Sequence, residues 1–107
     1  MNLKNKRLFR NEFYFMYMIT SEMLKEICDR VENSLENYVI EYKGQLFENG
    51  RIIEGMEIQI KNQYEDRLSG MILAKGEDIK LLSEEEQRYI KNRIKNTLEL
   101  SKRQYEA

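Results

Sequence analysis

The sequence contains no histidine, no proline and no tryptophan, and its 107 residues include a single cysteine, Cys28. Without histidine there is no imidazole base, no histidine-activated serine or cysteine nucleophile, and no histidine ligand for zinc. One cysteine excludes an intramolecular disulfide and CxxC chemistry, and it is typical of a reducing compartment. Without proline there is no PxxP segment and no proline-stiffened linker. The sequence therefore lacks the side chains that most enzyme classes use for catalysis.

Glycines are few and long apolar runs are missing. The five glycines form neither GxGxxG nor GxxxxGK[ST], so no nucleotide-binding loop is indicated. The apolar run from Phe13 to Ile19 is far shorter than the roughly 20 residues of a membrane helix. It is also shorter than an ordinary signal-peptide core, and no small-x-small cleavage site follows it. We therefore expect no membrane segment, and a cytoplasmic location.

The overall composition is that of one small globular domain. Charged residues make up 35% and hydrophobic residues 41%, and the net charge is −1. These values are typical of neither a disordered chain nor a general polyanion binder. A chain of this length can form one hydrophobic core but not two.

The clearest predicted helix covers residues 20–37. Thr20 or Ser21 can supply the N-cap oxygen, and Glu22 places an acid in the first turn. We expect Cys28 to be a buried structural thiol, because nothing near it would lower its pKa. Apolar residues recur at helical spacing and predict the buried face: Leu24, Ile27, Cys28, Val31, Leu35 and Tyr38.

Residues 38–60 predict a β-hairpin. Asn49-Gly50 tolerates the positive φ angles of a type I′ turn, and a two-residue turn places Phe47 opposite Ile52. Further from the turn, the two faces match only if the second strand contains one extra residue. We therefore predict a β-bulge at Gly55.

The remaining pattern completes an α+β prediction. The apolar stretch 68–75 predicts a central strand, and 79–82 a short one. Ser83 and Glu86 form a capping box that begins a helix over 84–103, with Ile90 and Ile94 on its inner face. The expected fold is a small antiparallel sheet of three to four strands with helices 20–37 and 84–103 packed on it.

Carboxylates are the remaining candidates for metal binding or acid–base chemistry. Acid-x-Lys triplets, as in many metal-dependent nucleases, occur at 41–43 and 78–80, but a chain this rich in acids and lysines has about two by chance. The run Glu84–Glu86 is explained by its place in a first helical turn. We therefore predict no catalytic residue, no metal site and no cofactor, and rank a carboxylate–metal hydrolase third among the functions.

The predicted C-terminal helix carries the best basic feature. Between residues 88 and 103 there are six bases and one acid, Glu99. Such a stripe could contact phosphates or a protein partner, whereas a solvated helix face is the simpler explanation. Few aromatic residues are interleaved for base stacking. The candidate contact residues share one side of this helix: Arg88, Lys91, Lys95 and Lys102.

The stretch GEDIKLLSEEEQRYIKNRI, residues 76–94, resembles the ending of many short, uncharacterised phage and prophage proteins. Gly76, Asp78, Ile79, Leu81 and Leu82 correspond to their G-x-D-I-x-x-L-L element, with one residue fewer before the leucine pair. The resemblance covers roughly the second half of the chain. It implies a hairpin, a strand, this element and a short helix, and it assigns no catalytic residues. It also implies a viral or mobile-element setting, in which small proteins often bind and block a host protein.

Residues 1–19 form an N-terminal extension in this interpretation, and 20–107 form the single α+β domain. The extension carries four bases, one acid and several aromatic residues. A nucleic-acid-binding arm, an added strand or docked hydrophobic segment, and a dispensable segment all remain open, the last with the domain beginning near Met18.

The leading hypothesis for function is a non-enzymatic protein-binding module, in the manner of a phage-type inhibitor or regulator of a host protein. Its expected strand edges could pair with a protein partner or with a second copy. A nucleic-acid-binding regulator using the basic stripe is the alternative.

Overall fold

The computed structural model describes residues 19–106, and most of this range is helical. Three long helices form a bundle, and short elements connect them. In chain order the elements are α1 (Ser21–Glu41), α2 (Lys43–Leu46), β1 (Phe47–Glu48), β2 (Arg51–Ile52), α3 (Met56–Ala74), a 3-10 helix (Ile79–Leu81) and α4 (Glu84–Tyr105).

The predicted α+β class is therefore wrong. Within residues 19–106 the only sheet is the two-stranded pair β1–β2. Residues 68–74, predicted as most of a central strand, continue α3, and residues 79–81 form the 3-10 helix instead of a strand. The physical reason is burial: α3 buries only every fourth residue, whereas a strand would place Asn62, Asp66 and Gly70 on the same face as the buried residues, and these three are exposed.

The hairpin is correct at its turn and wrong beyond it. Phe47 pairs with Ile52 as predicted, and Asn49 and Gly50 have φ angles of 52° and 75°, as a type I′ turn requires. The flanking residues belong to helices, because 38–41 end α1 and 56–60 begin α3. Gly55 is no β-bulge: it has a φ of 89° and is the N-cap residue of α3.

The two predicted helices are present, with the predicted caps. The Thr20 hydroxyl accepts a hydrogen bond from the Met23 amide at 3.1 Å and caps α1. At the start of α4, Ser83 accepts from the Glu86 amide at 3.1 Å while the Glu86 carboxylate accepts from the Ser83 amide at 2.9 Å. Each helix continues past its predicted end, α1 to Glu41 and α4 to Tyr105.

Side-chain contacts fix the directions of the three long helices. Tyr64 on α3 contacts Glu32 on α1, and Gln59, earlier in α3, contacts Tyr38, later in α1, so α1 and α3 are antiparallel. Arg93 of α4 contacts Glu32, and the last residue of α4, Tyr105, packs on Phe47, which lies just past α1. Helices α1 and α4 therefore run in parallel, with α3 antiparallel to both.

The core lies along the shared axis of these helices. Each helix contributes a stripe at helical spacing, and the hairpin contributes one aromatic ring. The buried residues are Ile19, Leu24, Ile27, Cys28, Val31, Leu35, Val39, Leu46, Phe47, Ile60, Tyr64, Leu68, Ile72, Ile90 and Ile94. Each buried aliphatic or aromatic side chain contributes on the order of 1.5–3 kcal/mol of transfer free energy.

The predicted extension, residues 1–19, lies outside the described residues except for Ile19. The Ile19 side chain is buried in the core, directly before the capping Thr20. Within residues 19–106, no helix combines the length and the apolar character needed to cross a bilayer.

Candidate functional site

Arg93 is the centre of a polar cluster that joins all three long helices. Its Nε and Nη2 atoms donate to the two oxygens of Glu32, each at 2.8 Å, and Nη2 also donates to Asp29 at 2.6 Å. Its Nη1 atom donates to the Tyr89 hydroxyl at 2.7 Å, and the Tyr64 hydroxyl donates to Glu32 at 2.6 Å. We call these five residues the Arg93 cluster. The paired bonds to Glu32 have the fork geometry of a strong arginine–carboxylate pair.

Burial and charge in the Arg93 cluster shift the pKa values of Asp29 and Tyr64. The Arg93 guanidinium, followed by Lys25 at 3.2 Å, holds the pKa of Asp29 below its ordinary value. Burial raises the pKa of the Tyr64 phenol, and the carboxylate of Glu32 raises it further. Tyr64 therefore stays protonated and donates to Glu32.

Cys28 lies beside this cluster and is fully buried. Burial raises the pKa of its thiol, although a hydrogen bond with Tyr64 and the charge of Arg93 partly oppose this. A buried thiol with a raised pKa is a poor nucleophile. The structural role expected for Cys28 agrees with this environment.

A groove of about 460 Å³ runs between the C-terminal halves of α1 and α4. Its floor includes the apolar residues Leu35 and Val39. The side chains of Thr97 and Ser101 are small and leave space above that floor. Tyr105 lies at the hairpin end, where it packs on Phe47 with ring centroids 5.5 Å apart and lies under Lys43 at 5.4 Å. We call this feature the α1–α4 groove.

The rims of the α1–α4 groove differ in charge. Glu36 stands on the α1 side and Arg103 on the α4 side, and both side chains are exposed. Neither takes part in an ion pair with another residue of the described range. Leu100, on the α4 side, is 59% exposed. The groove therefore has apolar residues on its floor and side chains of opposite charge on its two sides.

The predicted basic stripe is only partly free. Arg88, Lys91 and Lys95 are exposed and make no ion pair within residues 19–106. Lys102 instead donates to Glu57 on α3 at 2.7 Å, and this carboxylate raises the pKa of Lys102. Three of the four predicted contact residues are therefore available to a ligand, while the ion pair of Lys102 with Glu57 links α4 to α3.

The carboxylates weighed as catalytic candidates have local structural partners. Asp78 accepts from the Lys80 amide at 2.9 Å and caps the 3-10 helix. Glu86 completes the capping box, with Glu84 and Glu85 beside it in the first turn of α4. Over the part of the chain that the structure describes, no three acidic or cysteine side chains are grouped as metal ligands.

Sequence reasoning missed both Arg93 and the α1–α4 groove. The signal for Arg93 was present, because Asp29 follows the buried Cys28 and Glu32 follows the buried Val31, while Arg93 precedes the buried Ile94. Charges beside two apolar stripes favour an ion pair across the helix interface. The groove could not be found in this way, since the parallel arrangement of α1 and α4 depends on a third helix that was predicted as strand.

In comparisons with known proteins, this chain matches no family model, no curated protein and no solved structure.

Proposed function

We propose that this chain is a small, non-enzymatic protein-binding module that takes an amphipathic helical segment into the α1–α4 groove. The observation that carries the proposal is Leu100, a large aliphatic side chain left 59% exposed beside an apolar floor. Single exposed apolar residues are common on protein surfaces. What distinguishes Leu100 is its position on the rim of a groove of about 460 Å³.

The groove specifies the chemistry of a ligand segment. Leu35 and Val39 are one helical turn apart on the floor, so a bound helix would present apolar residues at i and i+3 or i+4. A base on the ligand would lie near Glu36, and an acid near Arg103. Electrostatic complementarity of this kind mainly sets the orientation and the rate of association.

The positions of the titratable groups support the proposal that the chain is not an enzyme. Cys28 and Tyr64 are buried and do not line the groove, and burial keeps both protonated. The carboxylates Asp29 and Glu32 are already paired with Arg93. These groups stabilise the bundle that presents the groove.

The cellular setting belongs to the same proposal. The phage-like stretch at 76–94 supports a viral or mobile-element protein that binds and regulates a host protein. The free thiol of Cys28, the only cysteine, supports a cytoplasmic location.

A selection experiment tests the proposed function. We expect a library of helical peptides, panned on the folded chain, to yield binders with apolar residues at i and i+4. Leu100→Glu should weaken their binding about tenfold or more, because it puts a charge on the edge of an apolar contact. Ile58→Glu is the matched control, since Ile58 is 63% exposed on α3, away from the groove. Failure to enrich binders, or binders indifferent to Leu100→Glu, would contradict the proposal.

Nucleic-acid binding through α4 is the second candidate, because Arg88, Lys91 and Lys95 are exposed and unpaired within residues 19–106. If it is correct, DNA or RNA affinity falls steeply with salt and is lost on Lys91→Glu with Lys95→Glu. Lys61→Glu with Lys75→Glu makes the same change in net charge on the exposed side of α3 and is the control. Equal effects of the two double variants would rule out a specific role for α4.

A further inference from the structure

We infer that α4 binds duplex DNA in the major groove, with its exposed face between residues 88 and 96 turned towards the base edges. This inference rests on the second candidate function, nucleic-acid binding through α4, and it names the kind of nucleic acid and the residues that read it. Within residues 19–106, none of the five side chains concerned makes an ion pair or a hydrogen bond. All five are exposed, and we call them the α4 polar face: Arg88, Lys91, Asn92, Lys95 and Asn96.

Helical spacing divides the α4 polar face into two rows. Lys91 and Lys95 are one turn apart and form the first row. Arg88, Asn92 and Asn96 follow one another at intervals of four residues and form the second row beside it. The face therefore has a cationic edge next to a line of side chains that can make directed hydrogen bonds.

The core and the Arg93 cluster hold the α4 polar face on the outside of the bundle. Asn92 is two residues from each of the buried Ile90 and Ile94. At about 100° per residue, this spacing puts Asn92 on the side of α4 opposite the core. Arg93 fixes α4 on α1 and also donates to the Tyr89 hydroxyl, so neither of these residues belongs to the face.

The two rows have the chemistry of the two parts of a DNA groove. Lysine ammonium groups neutralise phosphates as point charges, whatever the sequence. The guanidinium of Arg88 can donate to O6 and N7 of guanine. The amides of Asn92 and Asn96 can each accept from N6 and donate to N7 of adenine. The lysine row therefore suits one strand of the backbone, and the second row suits the base edges next to it.

Shape selects duplex DNA among the nucleic acids. From Arg88 to Asn96 the helix covers about 12 Å, the rise of three to four base pairs. The major groove of B-form DNA admits an α-helix, whereas that of A-form RNA is deep and narrow. Single strands are bound largely by stacking on aromatic rings. Tyr89 is the one aromatic residue between 88 and 96, and it is half-buried against Arg93.

Acidic residues limit the contact with DNA to this part of α4. The segment 88–96 contains no acid, while the exposed Glu84 and Glu85 precede it and the exposed Glu99 follows it. Carboxylates repel phosphates, so DNA should approach α4 between these two ends. The net charge of −1 gives the rest of the chain little attraction for a polyanion. We therefore expect weak general binding to DNA, with a preference for particular sequences.

The first test measures which nucleic acid the full chain binds. A sequence is selected from a pool of DNA duplexes with a randomised centre, and its affinity is compared as duplex DNA, as duplex RNA and as single-stranded DNA. We expect the DNA duplex to bind at least about tenfold more tightly than the other two. A pool that yields no preferred sequence would overturn the inference, and so would equal or tighter binding of the RNA duplex or the single strand.

The second test separates the reading of bases from contact with phosphates. Asn92→Ala removes the side-chain amide, keeps the charge and favours the helix, so the fold is retained. We expect it to reduce discrimination about tenfold at one position of the selected sequence, with an unchanged dependence on salt. Asn62→Ala, the same exchange at an exposed position of α3, is the matched control and should have no effect. Unchanged discrimination in Asn92→Ala would overturn the inference.

Lys91→Gln should have the opposite signature. It should weaken binding to every sequence and lower the slope of log affinity against log salt by about one, because one phosphate contact is lost. The order of preference among sequences should stay as in the unmodified chain. A change of preferred sequence in Lys91→Gln, with an unchanged slope, would contradict the assignment of the lysine row to phosphates and with it the proposed orientation of α4.

The results also distinguish this inference from the proposed function. A chain that binds nucleic acid through Lys91 and Lys95 without any sequence preference would keep the second candidate function and exclude the reading of bases by α4. A chain that binds no nucleic acid but selects helical peptides sensitive to Leu100→Glu would keep the α1–α4 groove as a protein-binding site and overturn the inference.

Discussion

Arg93 connects more of the fold than any other polar side chain in residues 19–106. It begins on α4, reaches two carboxylates on α1 and, through Glu32, is linked to Tyr64 on α3. The side chain of Arg93 is 19% exposed and that of Glu32 is 25% exposed, so water screens this pair only partly. Pairs of this kind are costly to break, because removing one partner leaves the other charge poorly solvated.

Replacing Arg93 should therefore destabilise the bundle. Arg93→Met keeps much of the aliphatic stem and removes the guanidinium, and we expect the free energy of unfolding to fall by about 1–3 kcal/mol in urea titrations. Arg88→Met is the matched control on the same helix and should change stability by less than about 0.5 kcal/mol, because Arg88 is exposed. Equal effects of the two changes would mean that the cluster adds little to stability.

The buried thiol makes a second prediction, at high pH. Burial raises the pKa of Cys28 above its ordinary value of 9.0, so the folded state keeps a proton that the unfolded chain loses near that pH. The contribution of Cys28 to stability is therefore complete below pH 9.0 and is lost as the pH rises beyond it. The raised pKa of Tyr64 acts in the same direction above 10.0.

Urea titrations between neutral and alkaline pH would check this prediction. We expect the free energy of unfolding of the unmodified chain to begin to fall near pH 9.0. In Cys28→Ala the fall should begin about one pH unit higher, where tyrosine ionisation takes over. The comparison concerns where the decline starts, since Cys28→Ala also lowers the overall stability. Coincident onsets would show that the thiol does not contribute.

At the scale of elements, the sequence was sufficient for α1 and α4 and insufficient for α3. Both predicted helices begin with an N-cap side chain, and both have apolar residues at clear helical spacing. In α3 the N-cap residue is Gly55, which offers no capping side chain, and exposed Ile58 and Leu73 blur the pattern. The surviving signal was Tyr64, four residues from both Ile60 and Leu68, but it fell between the predicted hairpin and the predicted central strand.

In the hairpin and the candidate site as well, only the features that depend on local sequence could be predicted. Asn49-Gly50 fixed the turn and the pairing of Phe47 with Ile52, because both depend on local backbone preferences. The length of the strands depends on what packs against them, and here the neighbouring residues gain more by completing α1 and α3. The exposed bases of α4 were predictable from helical spacing, whereas the ion pair of Lys102 with Glu57 required knowing that α3 is a helix.

Two glycines associated with α3 should respond in opposite ways to substitution by alanine. Gly55 has a φ of 89°, which alanine adopts at a cost of about 1 kcal/mol, so Gly55→Ala should lower the melting temperature. Gly70 lies inside α3 and a Cβ there would meet no atom within 4 Å, so Gly70→Ala should raise stability by roughly 0.5–1 kcal/mol. Thermal melts followed by circular dichroism would measure both, and a stabilising Gly55→Ala would argue against the left-handed N-cap.

At the scale of the whole molecule, the fold is a three-helix bundle whose first and last long helices are parallel. Two short connections suffice for this arrangement, because antiparallel α3 returns the chain from the end of α1 to its beginning. The α1–α4 groove is a consequence, since the two parallel helices are neighbours in space without a loop joining them. Along α1, residues between 32 and 39 line this groove.

The predicted start of the domain near Met18 gives a test on the complete chain. Ile19 is buried directly before the cap of α1. We therefore expect a variant that begins at Met18 to keep the helical circular-dichroism spectrum and a cooperative thermal transition. A truncated chain that fails to fold would show that the preceding residues are needed.

The single buried thiol also provides a built-in probe of how often the folded structure opens. Since Cys28 is the only thiol and is fully buried, a colour-forming thiol reagent can react only when the interior opens. The labelling rate, divided by the rate for the denatured chain, then gives the opening equilibrium at one known place without any engineered probe. Because no tryptophan is present, a single tryptophan introduced elsewhere could be followed alongside it. If thiol labelling and the tryptophan fluorescence change at the same rate, the interior and the surface open together.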